Sequence, residues 1–148
     1  MAAENVDEAE LQSEPQTEPV TTDVENSGTG LDENVAGALA YAFGFITGII
    51  FFVIDDRPSV KFHGAQSIVL AGALFLTYIG LVVANTFLSI VINNGILSLG
   101  VWLVFLLAWA VVGFGGFAVW LYMLYSTYTG KMVELPVIGN IAKRIAGQ

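Results

Sequence analysis

Apolar residues fall along this chain in long unbroken runs, not in the short alternations or narrow stripes of a water-soluble domain. Residues 1–34 contain no such run. Val35 to Ile54 then gives twenty residues without a charge, about 30 Å as a helix, which matches the hydrocarbon thickness of a bilayer. Asp55-Asp56-Arg57-Pro58 interrupts it, because proline disfavours helical geometry in the residue before it. From Phe62 to Gly130 there are 69 residues with no Asp, Glu, Lys or Arg. Asn93-Asn94-Gly95 is the strong turn signal in that run and divides it into 64–92 and 96–129. A further break at Gly113-Phe114-Gly115-Gly116 would leave 13 residues up to Thr129, short of the roughly 17 a span needs. The glycines therefore read as a kink in one long, tilted helix.

The pattern predicts an all-α integral membrane protein with three transmembrane helices, 35–54, 64–92 and 96–129, in a membrane domain 29–130. Thr29 and Asp32 have capping-box spacing ahead of the first span. In the tail 131–148, Pro136 can open a helix. Val137, Ile138, Ile141, Ala142 and Ile145 then share one face and Asn140, Lys143 and Arg144 another. This predicts a short amphipathic helix lying on the membrane surface.

Composition agrees, with 55% hydrophobic residues and a mean hydropathy of +0.72, far from a soluble average. The net charge of -8 hides two unlike segments. Residues 1–34 hold ten Asp/Glu and no Lys/Arg, and the rest holds five basic and three acidic residues. Residues 1–28, acidic and without aromatics, read as a disordered tail. With three spans, Arg57, Lys61, Lys131, Lys143 and Arg144 all fall on one side. The positive-inside rule makes that side the cytoplasm, with the N-terminus outside, as in a multi-pass plasma-membrane protein. Trp102 and Tyr125 sit at spacings that suit the two interfaces of the third span. Five scattered basic residues give no footprint for nucleic acid. The absence of cysteine removes disulfides and thiolate chemistry.

Three constellations stand out. Ala36, Ala40, Gly44 and Gly48 recur every four residues and form a groove for close helix approach, either within the chain or with a second copy. His63, Gln66 and Ser67 open the second span at i, i+3 and i+4, one face of a helix. They could bind a headgroup or peptide, but their commoner use is to organise the helix start and bond to a neighbour. A His-Ser pair without an orienting acid or oxyanion site is not a hydrolytic dyad. One His with two solvent-facing carboxylates, Asp55 and Asp56, lacks rigid metal-ligand spacing. Asn85 is the main polar group inside the second span, with Thr77 and Thr86 beside it, and suits a bond to a neighbouring helix better than a pore lining. No enzyme activity, cofactor or metal is expected from these residues.

LDENVAGALAY at Leu31–Tyr41, GFITGIIFFVID at Gly44–Asp55, VKFHGAQS at Val60–Ser67 and LPVIGNIA at Leu135–Ala142 resemble a widespread family of small prokaryotic membrane proteins without an assigned activity. That family is similar to the channel-type, twenty-kilodalton subunit of the chloroplast inner-envelope protein translocon. The resemblance runs from about residue 29 to 142, and its FHxxQS and LPxIG elements are the most specific. It implies a non-enzymatic component of a protein or solute path, working in the bilayer as a homo-oligomer or with a membrane-protein partner. The other reading is a membrane-anchored structural or regulatory interaction protein, whose acidic tail and amphipathic C-terminal helix recruit others.

Overall fold

The fold was analysed in a computed structural model that describes residues 28–92 and 95–148. Residues 1–27 of the acidic tail and Asn93-Asn94 of the turn lie outside the described residues. Five α-helices are present among the described residues: α1 Glu33–Ala42, α2 Phe45–Ile54, α3 Pro58–Val91, α4 Gly95–Tyr128 and α5 Ile138–Ala146. Two of them, α3 and α4, are long and apolar enough to cross a membrane.

The expected first span, 35–54, is where sequence and structure part. It is two helices of ten residues each, about 15 Å apiece and half a hydrocarbon core. Between them Gly44 adopts φ +56, a conformation open to glycine because it has no Cβ. The chain reverses there. Along α1, Glu33 meets Ser59 and Gly37 lies against His63 and Thr127, while Gly44 at the tip lies beside Ala71. Along α2 the order runs back, with Gly48 against Gly64 and Ser67, and Gly64 against Phe52. The reversal also closes at its base, where Arg57 Nη1 donates to the Leu31 carbonyl at 2.8 Å. The stretch is thus a helical hairpin that enters and leaves at one end of the bundle. Its apolarity gave no sign of this, because a half-depth hairpin in lipid needs the same side chains as a full span.

Thr29 does not cap α1. Its hydroxyl donates to Asp55 Oδ2 at 3.2 Å across the hairpin base, and Asp32 stands at the cap position without a side-chain bond. α3 starts at Pro58, six residues before the expected span, with proline in the first turn where its missing N–H costs nothing. α4 runs unbroken through Gly113–Gly116. There Gly116 admits Leu74 of α3, which a Cβ would meet at 3.1 Å, so the glycine serves close approach instead of a break.

The C-terminal tail also folds inward. Residues 131–135 run back along α3 and α4, with the Val133 carbonyl accepting from Gln66 Nε2 at 3.2 Å. The chain turns at Pro136-Val137, where Val137 has φ 66, and α5 returns along α3 until Gln148 Nε2 donates to the Pro58 carbonyl at 2.7 Å. Lys143 and Glu134 pair at 2.6 Å across this second reversal. α5 therefore docks on α3 instead of only lying on the surface. It buries Ala142 against Phe62 and Ala65 and Gly139 beside Glu134, and leaves Val137, Ile141 and Ile145 exposed. Small residues face the protein here because they permit close backbone contact.

All the added elements share one end. The starts of α1 and α3, the ends of α2 and α4, and α5 meet there, and Gly130 lies against the Asn34 side chain. Thr29 and Lys131 therefore sit at the same end of the bundle. At the other end α3 and α4 stand as a bare pair, touching at Tyr78 and Trp109 with ring centroids 4.8 Å apart.

Candidate functional site

Two turns of α3 carry the buried polar centre. His63, Gln66 and Ser67 are all buried and face the bundle, and together they reach α1, α4, the hairpin tip and the C-terminal tail. His63 Nδ1 lies 3.3 Å from the Tyr41 hydroxyl of α1 and 3.5 Å from the Thr127 hydroxyl of α4. Gln66 holds the Val133 carbonyl and reaches Met123 of α4 at 3.9 Å. Ser67 Oγ donates to the Gly44 carbonyl at 2.9 Å. Ser67 thus bonds to the hairpin tip and not to His63, so no His-Ser dyad forms. Among the described residues no group of His, Cys, Asp and Glu could hold a metal ion.

The hairpin tip is unwound backbone in an apolar setting, where each unpaired polar group would cost several kcal/mol. Side chains meet that need. Thr47 Oγ1 donates to the Ala40 carbonyl at 3.1 Å and accepts from Phe43 N–H at 3.1 Å. Trp120 Nε1 of α4 donates to the Tyr41 carbonyl at 2.8 Å. Tyr41, Thr47, Trp120 and Thr127 were not singled out from the sequence. The available signal was a hydroxyl or indole N–H inside an apolar run, which needs a partner when buried.

Two cavities flank this centre. One of about 200 Å³ opens at the crowded end and is lined by Glu33, Asn34, Ser59, His63, Thr127 and Lys131 among others. It offers a carboxylate, an amide, hydroxyls, an imidazole and an ammonium to a small polar solute. The other, about 430 Å³, lies at the hairpin tip, with Tyr41, Phe43, Leu70, Leu74, Phe117 and Trp120 among its lining residues. Tyr41 lines the second and contacts His63, which lines the first, so this pair stands between a polar and an apolar compartment. Gln66 Oε1 and Ser126 Oγ are buried nearby without a hydrogen-bond partner among the described residues.

The small-residue stripe has been used within the chain. Ala36 and Ala40 are fully buried, and a Cβ on Gly48 would sit 3.0 Å from the Gly64 carbonyl. The basic residues are mostly paired: Lys61 with Asp56 at 2.9 Å, Lys143 with Glu134, and Arg57 with Asp55. That last pair is a clamp. Arg57 Nε donates to Asp55 Oδ1 at 2.9 Å and Nη2 to Oδ2 at 2.6 Å, the bidentate geometry particular to arginine. The guanidinium and its hydrogen bonds hold the Asp55 carboxyl well below its usual range, at about 2. Lys131 lines the polar cavity, and Arg144 is exposed on α5. Asn85 lies apart from all of these, in the bare half of α3.

No family model and no solved structure matches the chain. Its sequence is similar to those of archaeal membrane proteins. A UPF0132 membrane protein of Methanocaldococcus jannaschii is 38% identical over 116 residues, which cover 78% of this chain and 89% of that protein. One from Archaeoglobus fulgidus is 35% identical over 118 residues, covering 79% of this chain and 98% of that protein. A second from Archaeoglobus fulgidus is 30% identical over 105 residues, covering 71% and 92%. Two helices long and apolar enough to cross a membrane agree with these identities along most of the chain, which place it in the UPF0132 family of membrane proteins.

Proposed function

We propose that this chain is a non-enzymatic component of a path for protein segments or solutes across the membrane. The observation that carries this reading is the α1–α2 hairpin, whose irregular backbone at Phe43-Gly44 is held at depth by side chains of both spanning helices. Non-helical backbone persists inside a bilayer where it is buried in protein or lines an aqueous cavity. Broken half-helices meeting near mid-depth are a recurring element of transport sites. The succession of polar cavity, Tyr41–His63 pair and apolar cavity along the hairpin fits such a path with its barrier in place. A relation to the chloroplast translocon subunit is part of the same proposal. Two spanning helices enclose no pore, so the path needs several copies or a partner.

All five basic residues belong to the end where the hairpin enters, so the positive-inside rule makes that end cytoplasmic. Thr29 and Gln148 then both face the cytoplasm, where three full spans would put Thr29 outside.

The test is flux through proteoliposomes, comparing the parent with Tyr41→Ala, which removes the ring between the two cavities. Leak of small ions or dye that rises in Tyr41→Ala supports a path. Flux equal to that of empty vesicles in both would overturn it and leave the membrane-anchored interaction protein.

A further inference from the structure

Three helices meet around the polar cavity at the crowded end of the bundle. α1 contributes Glu33 from its first turn, α3 contributes Ser59 and His63 one turn apart, and α4 contributes Thr127, with Lys131 just beyond it. The buried residues His63 and Thr127 form its inner wall, while Glu33 and Lys131 are exposed at its rim. Its volume of about 200 Å³ gives room for about six waters by their share of liquid volume.

The His63 imidazole is only 5% exposed and is incompletely satisfied. Its Nδ1 lies 3.3 Å from the Tyr41 hydroxyl. Tyr41 is fully buried, and Nδ1 is the one partner of its hydroxyl among the described residues, so the hydroxyl donates there. A neutral imidazole that accepts at Nδ1 carries its proton on Nε2. That second N–H has no acceptor among the described residues, since both hydroxyls beside the ring meet Nδ1. A buried side chain thus offers an unmet donor to the cavity it lines.

The rim carries opposite charges that do not meet. Glu33 accepts from the Ser59 hydroxyl and Lys131 lines the same cavity, yet the ion pairs among the described residues are Arg57–Asp55, Lys61–Asp56 and Lys143–Glu134. A lone anion in this space would be repelled by Glu33. A lone cation would be repelled by Lys131 and would leave the imidazole N–H unmet. A ligand with both charges satisfies all three groups, because its anionic end accepts from His63 and Lys131 while its ammonium donates to Glu33, which has acceptor capacity beyond the Ser59 bond.

We infer that this cavity binds a free zwitterion of the α-amino acid class, with its carboxylate between His63 and Lys131 and its ammonium on Glu33. The volume admits only a short side chain. Apart from Gly130 and Met132 the lining is polar, which suits a free solute and offers no channel for the acyl chains of a lipid. The inference rests on the polar cavity of the proposed path and names its ligand class, but it does not depend on flux.

The test is equilibrium binding to the full chain in detergent, read by calorimetry and by the shift in melting temperature, with glycine, alanine and serine as probes. At least one should bind at millimolar concentration, and acetate or methylammonium alone should bind at least about tenfold more weakly. Glu33→Gln and Lys131→Met should each weaken the zwitterion about tenfold. Lys61→Met removes the same charge at the same end of the bundle, outside the cavity, and should leave binding unchanged. Neither heat nor a melting shift with any of the three probes overturns the inference, as does acetate binding equally well, or Lys61→Met proving as damaging as Lys131→Met. Loss of binding when phosphatidylethanolamine is added to the micelles would assign the site to a lipid headgroup and overturn the free-solute ligand. Zwitterion binding without flux would keep this inference and remove the path, so the two fail separately.

Discussion

The Ser67 hydroxyl donates to the Gly44 carbonyl at 2.9 Å, so a side chain three turns into a spanning helix holds the turning point of a separate hairpin. Thr47 performs the same service from within, with one hydroxyl bonding both Phe43 N–H and the Ala40 carbonyl. Thr47→Val keeps the shape and removes both bonds. It should therefore lower stability by about 2 kcal/mol, and Ser67→Ala by about 1 kcal/mol. Thermal unfolding in detergent reads both, and equal melting of Thr47→Val and the parent would remove the hairpin tip from the account.

The α2–α3 contact depends on two facing glycines. A Cβ on Gly64 would meet the Gly48 carbonyl at 2.8 Å and Phe52 N at 3.1 Å, backbone atoms that cannot turn aside, whereas one on Gly72 would meet nothing within 4 Å. Gly64→Ala should cost about 1–3 kcal/mol, with Gly72→Ala near neutral. Melting temperatures of the two variants in one detergent give the comparison.

His63 touches hydroxyls on two helices. His63→Gln retains a donor and an acceptor and should preserve most of the fold. His63→Leu leaves Tyr41 and Thr127 without this partner and should cost about 1–3 kcal/mol. Equal, severe loss of growth in both variants at normal protein levels would assign His63 a chemical role instead.

Asp55 gives the base of the hairpin a dependence on acid. Its folded value, about 2, lies below the ordinary 3.8, with Arg57 and Thr29 facing it. A depressed carboxylate stabilises the fold fully above its unfolded value and loses that contribution as pH falls through the folded one. Stability should be flat above about pH 4 and fall by up to about 2 kcal/mol between pH 4 and 2. Asp55→Asn should lose most of this acid sensitivity, and denaturation followed across that range checks it.

Cysteines placed singly at Thr29 and Gln148 should react with an impermeant reagent from the same side of the membrane, because both positions sit at the hairpin's open end. Labelling from opposite sides would restore three full spans.

Residue pattern alone determined that this chain lives in a bilayer, that 69 uncharged residues make two long helices, and that LPVIGNIAKRIAG ends in a third, short one. Those properties follow from local apolarity and turn residues, which do not depend on what each segment packs against. The pattern also grouped His63, Gln66 and Ser67 on one face. It could not say that this face meets Tyr41, Thr127, Val133 and Gly44, since those partners lie 22 or more residues away. Whether Val35–Ile54 crosses or turns back was decided only in three dimensions. Twenty apolar residues satisfy lipid equally well as one helix or two. The choice rests on tertiary terms: the Gly48–Gly64 contact, the hydroxyls of Thr47 and Ser67 that complete the broken backbone, and the Asp55–Arg57 clamp that ties the base to Leu31.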